Sequence, residues 1–302
     1  MTAPSDVSRV PANGIEIAYE TFGNSADIPI ILIMGFSRQM VGWHEDFCQA
    51  LSRRGHFVVR FDNRDVGLST HLDHAPPVDI QAGLVGDTSS AAYTLADMAA
   101  DTVGLIGALG LDSVHVVGVS MGGMIAQVMA IEHPARVRSL TSIMSTTGAP
   151  QVSQPSPEAR EVLLSPPART REEVLDRAVA ASRVIGSPAF EPDEAEVRER
   201  AALAFDRAYD PPGLSRQLLA MWATGDRTPR LADVRAPTLV IHGDSDPLIP
   251  LAAGRATAAA IPGARLEVLA GMGHDLPRPL WSRIVQLISE HVEEAERAPA
   301  AA

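Results

Sequence analysis

The sequence predicts an α/β fold: a mostly parallel sheet with helices on both faces, carrying one helical insertion. Three observations carry this. Short runs of branched apolar residues alternate with helix-spaced segments from about residue 8 to 149. From about 150 to 230 the helical spacing continues without a convincing strand, and the alternation then resumes. A chain of 302 residues that is 46% apolar is long enough to bury one large core with such an insert. The core is therefore assigned to 1–149 and 231–302, and the insertion to 150–230.

The elements follow in order. IEIAYETFG reads as an early strand. IPIILIMGF is a continuous apolar run, as expected of a strand buried on both faces of a parallel sheet. EDFCQALSRRG reads as a helix and HFVVRFD as a strand. TLADMAADTVGLIGALG has helical spacing, with Thr94 as N-cap and Gly110 as stop. VHVVGVS is a strand that feeds the helix MGGMIAQVMAIEH, which His133 closes; a positive charge there suits the helix dipole. VRSLTSIMS is a further strand. The insertion opens with QVSQPSPEAR and continues with TREEVLDRAVAASRVIG, PDEAEVRERAALAFDRAYD and GLSRQLLAMWATG, three helices that carry charge on one side and apolar residues on the other. The strand APTLVIHGD, a helix near LAAGRATAAAI, the strand ARLEVLAG and the helix LWSRIVQLISEHVEEAER complete the chain, and the terminal APAAA is expected to fray.

Charge and composition exclude several functions. The net charge is −12 with no basic cluster, so nucleic acid and anionic membrane surfaces are not expected partners, and neutral substrates are favoured over anionic ones. No run of about 18 apolar residues exists, so no membrane span is expected. MTAPSDVSRV lacks a positive region followed by an apolar one, so no signal peptide is expected. Cys48 is the single cysteine, which precludes an internal disulfide and fits a reducing, cytoplasmic location. It is read as a buried structural thiol. No C-x-x-C, H-E-x-x-H, P-loop or dinucleotide-binding context is present, so neither a metal nor an organic cofactor is expected.

Chemistry concentrates around Ser120. Gly118-Val119-Ser120-Met121-Gly122 sits where a strand turns into a helix. A serine on so sharp a turn lifts its hydroxyl over the sheet edge, and the positions two residues either side are too crowded for side chains. Gly123 would let the following apolar helix approach the sheet. A lone serine needs a base held by an acid. In this chain order the acid should follow a late strand and the histidine the last one. IHGDSDPLIP offers Asp244 and Asp246, and AGMGHDLP offers His274. His242, at the end of its strand, is read as a support for the acid loop. Two backbone N–H groups are candidates for an oxyanion hole: Met121, directly after the serine, and Phe36, in the Met34-Gly35-Phe36-Ser37 loop after an apolar strand.

With these residues in place the chain resembles the α/β-hydrolase fold superfamily, in a branch that includes aclacinomycin methylesterase-like hydrolases. The M-G loop, RFDNRDVGLST, the elbow GVSMGG and GMGH carry the resemblance. It implies an eight-stranded sheet, a triad of Ser120, Asp246 and His274, and a cap at 150–230. Two departures stand out: Met34-Gly35 replaces a common His-Gly, and Asp65 replaces the first glycine of the D-x-R-G-x-G-x-S turn, in which Asp62, Arg64 and Ser69 are read as structural. The implied function is hydrolysis of a carboxylic ester of a fairly large, neutral, apolar small molecule through an acyl-enzyme. A methyl ester of a polyketide-like compound is the specific expectation; a lactonase, a cofactor-free perhydrolase or a non-catalytic receptor are the alternatives. The pattern in the insertion puts Leu218, Leu219, Met221 and Trp222 along a substrate pocket, over a floor of Met34, Met40, Met121 and Met144.

Overall fold

A computed structural model describes residues 7–297; the terminal APAAA and the first six residues lie outside them. Eight strands form one sheet: β1 (Ser8–Ala12), β2 (Ile15–Phe22), β3 (Ile28–Ile33), β4 (His56–Phe61), β5 (Val114–Val119), β6 (Val137–Ile143), β7 (Thr238–Gly243) and β8 (Arg265–Leu269). Their order is β1-β2-β4-β3-β5-β6-β7-β8. β2 runs antiparallel to both neighbours, and every pairing from β4 to β8 is parallel. β1 has no counterpart among the strands read from the residues. Its five residues include Pro11, which cannot donate to a ladder and is tolerated at a sheet edge, where β1 lies.

Alternation along the central strands builds two cores. Ile31 and Ile33 of β3, with Val114 and Val116 of β5, pack into one apolar cluster. Ile30 and Leu32, with Val117 and Val119, pack into the other. Successive side chains point to opposite faces, so each strand must be apolar throughout to fill both. Among the core helices, α1 (Glu45–Ser52) covers the second face, whereas α2 (Ile80–Leu84) is a short turn outside it. α3 (Leu95–Ala108) and α4 (Met121–Glu132) cover the first face. Thr94 caps α3 in a capping box with Asp97, and Gly110 follows with φ 70°. His133 takes the C-cap of α4. Cys48 is fully buried in α1, and burial pushes its thiol up to about 12, which makes it an inert packing residue.

Between β6 and β7 come α5 (Pro157–Leu163), α6 (Arg171–Ile185), α7 (Glu194–Arg207), α8 (Pro211–Thr224) and the single turn α9 (Thr228–Leu231). After β7, α10 (Leu251–Ala260) packs on β7 and β8, and α11 (Arg278–Arg297) lies beside α1. No helix of the described residues is long and apolar enough to cross a membrane.

Buried ion pairs tie the inserted helices to the core. Arg207 reaches Asp62 at 2.9 Å, and Arg216 holds Asp65 through two bonds of 2.9 and 2.7 Å. Asp62 also accepts from the backbone N–H groups of Met40 and Leu68, and Ser69 donates to its carbonyl. Arg64 pairs with Asp101 through two bonds of 2.6 Å. The turn from Asp62 to Ser69 is therefore a structural hub. Asp65, whose φ is 67°, provides one of its grips on the insertion.

Candidate active site

Ser120 lies between the last residue of β5 and the first of α4, with φ 53° and ψ −122°. A non-glycine residue in this sparsely populated region costs about 1–3 kcal/mol and persists only when its surroundings fix it. They do. The Ser120 N–H donates to the Ile143 carbonyl at 2.9 Å, and its carbonyl accepts from Gly123 N–H at 2.9 Å and Ser145 Oγ at 2.8 Å. The neighbouring glycines are required by close approach. A Cβ on Gly118 would lie 2.1 Å from the Gly122 carbonyl oxygen, and one on Gly122 would lie 2.1 Å from the Ile33 carbonyl oxygen. On Gly123 it would meet the Ser145 side chain at 2.6 Å.

Three side chains from three strand ends meet here. His274, in the loop after β8, points Nε2 at Ser120 Oγ at 3.0 Å. Its Nδ1 faces Asp246 Oδ2, in the loop after β7, at 2.7 Å. Asp246 Oδ1 accepts from the Leu248 and Ile249 N–H groups, each at 2.9 Å, so both carboxylate oxygens act as acceptors. That fixes the imidazole with its proton on Nδ1, and leaves Nε2 bare to accept from the serine hydroxyl. Asp244 faces elsewhere. It accepts from Gly271 N–H at 2.7 Å and from the Ser245 hydroxyl at 2.8 Å, and these two donors hold its carboxyl below the usual range. His242 is wholly buried, burial lowers its pKa, and its Nε2 donates to the Ile249 carbonyl at 2.8 Å. It braces the turn that carries Asp246.

The loop after β3 runs alongside. A Cβ on Gly35 would lie 3.1 Å from Ser120 Cβ and 3.7 Å from its Oγ, so Phe36 follows directly beside the serine. Among the described residues neither the Phe36 nor the Met121 N–H has a hydrogen-bond partner outside regular structure. Met121 opens α4, whose first N–H groups have no partner within the helix and carry its positive dipole end. Ser37, with φ 62°, donates its N–H to Gln217 Oε1 of α8 at 3.1 Å, and Gln217 also donates to the Arg64 carbonyl at 2.8 Å. The insertion thus braces the Phe36 loop.

The pocket candidates divide. Met40 has no exposed surface. Met34, Met144 and Leu218 retain only 6%, 4% and 6%, and the two methionines pack into the second core cluster. Met121 and Leu219 are fully buried. Met221 and Trp222 are half-buried; Met221 leans on the first cluster and the Trp222 ring lies against Gly83 of α2. Two further residues near the site, Gln217 and Ser187, carry no signal in the sequence, because their partners lie far away along the chain.

The profile of the alpha/beta hydrolase fold family matches residues 28–277. The rhodomycin D methylesterase of Streptomyces sp. strain C5 is 31% identical over 297 residues, covering 91% of this chain and 94% of its own. The rhodomycin D methylesterase of Streptomyces peucetius is 30% identical with the same coverage. Among solved structures, the enol-lactonase from Burkholderia xenovorans LB400 superposes with a TM-score of 0.73 over 95% of this chain and 100% of its own, at 23% identity. A parallel sheet with a serine elbow after β5, and a match over most of its length, place this chain in the α/β-hydrolase fold family.

Proposed function

We infer that the protein is a carboxylic ester hydrolase, and we propose that it works through Ser120, His274 and Asp246. Ser120 Oγ attacks the ester carbonyl carbon while its proton passes to His274 Nε2. The carbonyl oxygen takes the negative charge and is met by the N–H groups of Phe36 and Met121, each such donor being worth about 10²–10³ in rate. The C–O bond to the alcohol then breaks, and His274 returns the proton to the departing oxygen. Water, deprotonated by the same imidazole, attacks the acyl carbon; the bond to Ser120 Oγ breaks, His274 returns the proton to Oγ, and the acid is released. Asp246 keeps the proton on Nδ1 and stabilises the imidazolium that forms twice in the cycle. The observation that carries this reading is the line of hydrogen bonds, 2.7 and 3.0 Å long, from Asp246 through His274 to a serine held at positive φ.

The substrate we propose is a fairly large, neutral, apolar ester, with a methyl ester of a polyketide-like compound as the specific candidate. The two methylesterase relatives, matched along nearly their whole length, support it. The helices between 150 and 230 would act as the cap that selects it, and the single reduced Cys48 fits residence in the cytoplasm. Ser120→Ala tests the mechanism: it removes one oxygen from a strained turn, so it should unfold like wild type yet lose at least about 10³-fold in kcat on such esters. Activity within tenfold of wild type would remove Ser120 from the reaction.

A further inference from the structure

The segment leaving α6 reaches back to the loop that carries His274. Four consecutive backbone N–H groups of that loop divide their bonds. Gly271 donates to Asp244 at 2.7 Å and Met272 to the Leu269 carbonyl at 3.4 Å, both in the core. Gly273 donates to Ser187 Oγ at 2.9 Å, and His274 donates to the Ile185 carbonyl at 2.7 Å, both in the insertion. The Ser187 hydroxyl in turn donates to Asp275. One hydroxyl, on a residue only 4% exposed, therefore holds the residues on both sides of the imidazole.

The contact is tight enough to exclude side chains. A Cβ on Gly273 would lie 2.2 Å from the Gly186 carbonyl oxygen, and one on Gly271 would lie 2.3 Å from Ala189 Cβ. Asp275 faces opposing influences: burial pushes its carboxyl up, while the Ser187 hydroxyl and the neighbouring His274 pull it down. Without the hydroxyl, the buried Gly273 N–H and the half-buried Asp275 carboxyl would both lose a partner, and relaxing the loop is the cheapest relief. The imidazole rides on that loop.

We propose that Ser187 is a positioning residue: from the insertion it holds the His274 loop, so that Nε2 stays within reach of Ser120 only while the insertion is seated. This rests on the reading of Ser120 and His274 as nucleophile and base. It makes the inserted helices part of the catalytic geometry as well as a cover. Displacing a reacting group by about 1 Å can cost 10²-fold in rate, so loss of the hydroxyl should appear in kcat.

The test uses the full chain with Ser187→Ala and Ser187→Thr. The alanine variant should lose about 10- to 100-fold in kcat on p-nitrophenyl acetate and on a long-chain p-nitrophenyl ester alike, with KM little changed. The threonine variant, which keeps a hydroxyl, should recover most of it. A second readout does not need turnover: the proton shared by His274 and Asp246, assigned by its loss in His274→Gln, should give a sharp downfield resonance in wild type and Ser187→Thr and a broadened one in Ser187→Ala. Wild-type kcat together with an unchanged resonance would overturn the proposal, as would a loss confined to the long-chain ester, which would mark a substrate contact. If Ser187→Ala does not fold, Asp275→Ala, which removes the acceptor, carries the same resonance test from the other end of the bond, and a sharp, unshifted signal there would overturn it. A wild-type protein that hydrolyses no ester would count against the proposed function, while the resonance would still decide the role of Ser187.

Discussion

Asparagine at position 246 should stop the reaction while leaving the loop intact. Asp246 uses its oxygens differently: Oδ1 accepts two backbone N–H groups at 2.9 Å, and Oδ2 faces His274 Nδ1 at 2.7 Å. Asparagine has one acceptor oxygen and one amide donor. The backbone donors of Leu248 and Ile249 can be met only by the oxygen, so the NH₂ must turn to the imidazole. A donor facing Nδ1 drives the ring proton to Nε2, where Ser120 needs an acceptor. A wrong tautomer of this kind costs about 10⁴ in kcat in the serine-protease arrangement, or about 5 kcal/mol at 1.36 kcal/mol per decade. Asp244→Asn is the control, because the Asp244 bonds to Gly271 and Ser245 both end on one oxygen, which asparagine keeps. It should cost less than about tenfold. Initial rates on p-nitrophenyl butyrate, with thermal unfolding run alongside, measure both. The reasoning is refuted if Asp244→Asn is the slower enzyme, or if Asp246→Asn stays within tenfold of wild type.

Three further outcomes are expected. Asp65→Gly restores the residue usual at this turn and relieves a positive φ, yet it strips the buried Arg216 of two bonds; urea unfolding should show a loss of about 3 kcal/mol, and a more stable variant would mean that the pair contributes nothing. Burial pushes the Glu45 carboxyl up, but hydrogen bonds from Arg200 and Arg60 outweigh this and bring it from 4.5 to about 2. A depressed carboxyl stabilises the fold fully above the unfolded value and loses that contribution as pH falls through the folded one. The gap in Tm between wild type and Glu45→Gln should therefore close as pH falls from 4.5 to 2, and a gap independent of pH would refute the charge effect. Trp222→Ala should change relative kcat/KM across neutral esters of increasing size by about tenfold. A uniform loss would make the ring a prop for α2, consistent with its contact to Gly83.

Local constraints were legible in the sequence; contacts across the chain were not. The elbow could be read because three glycines serve one turn, and each is forced by a backbone or side-chain atom within 2.6 Å. His274 and the pair Asp244 and Asp246 could be picked out because they follow strands whose apolar runs mark the ends of a parallel sheet, while the choice of Asp246 over Asp244 rested on the resemblance to the family. β1 was hidden by its shortness and by Pro11. Short α2 and α5 were hidden because five and seven residues give too little periodicity. The burial of the methionine floor was not legible, because an apolar residue beside a site looks the same in sequence whether it faces a cavity or the core. The grips of the insertion on the site, Ser187 on Asp275, Arg216 on Asp65 and Gln217 on Ser37, join residues 88, 151 and 180 positions apart, and no spacing rule reaches that far.

The central claim is that Ser120 carries the acyl group. Rapid mixing with a p-nitrophenyl ester, acid quenching and peptide mapping by mass spectrometry tests it most directly. A burst of p-nitrophenol matched by a single acylated peptide is expected, with the acyl group on Ser120 and none on the Ser120→Ala protein. An acyl group on another residue, or full turnover by Ser120→Ala, would contradict it.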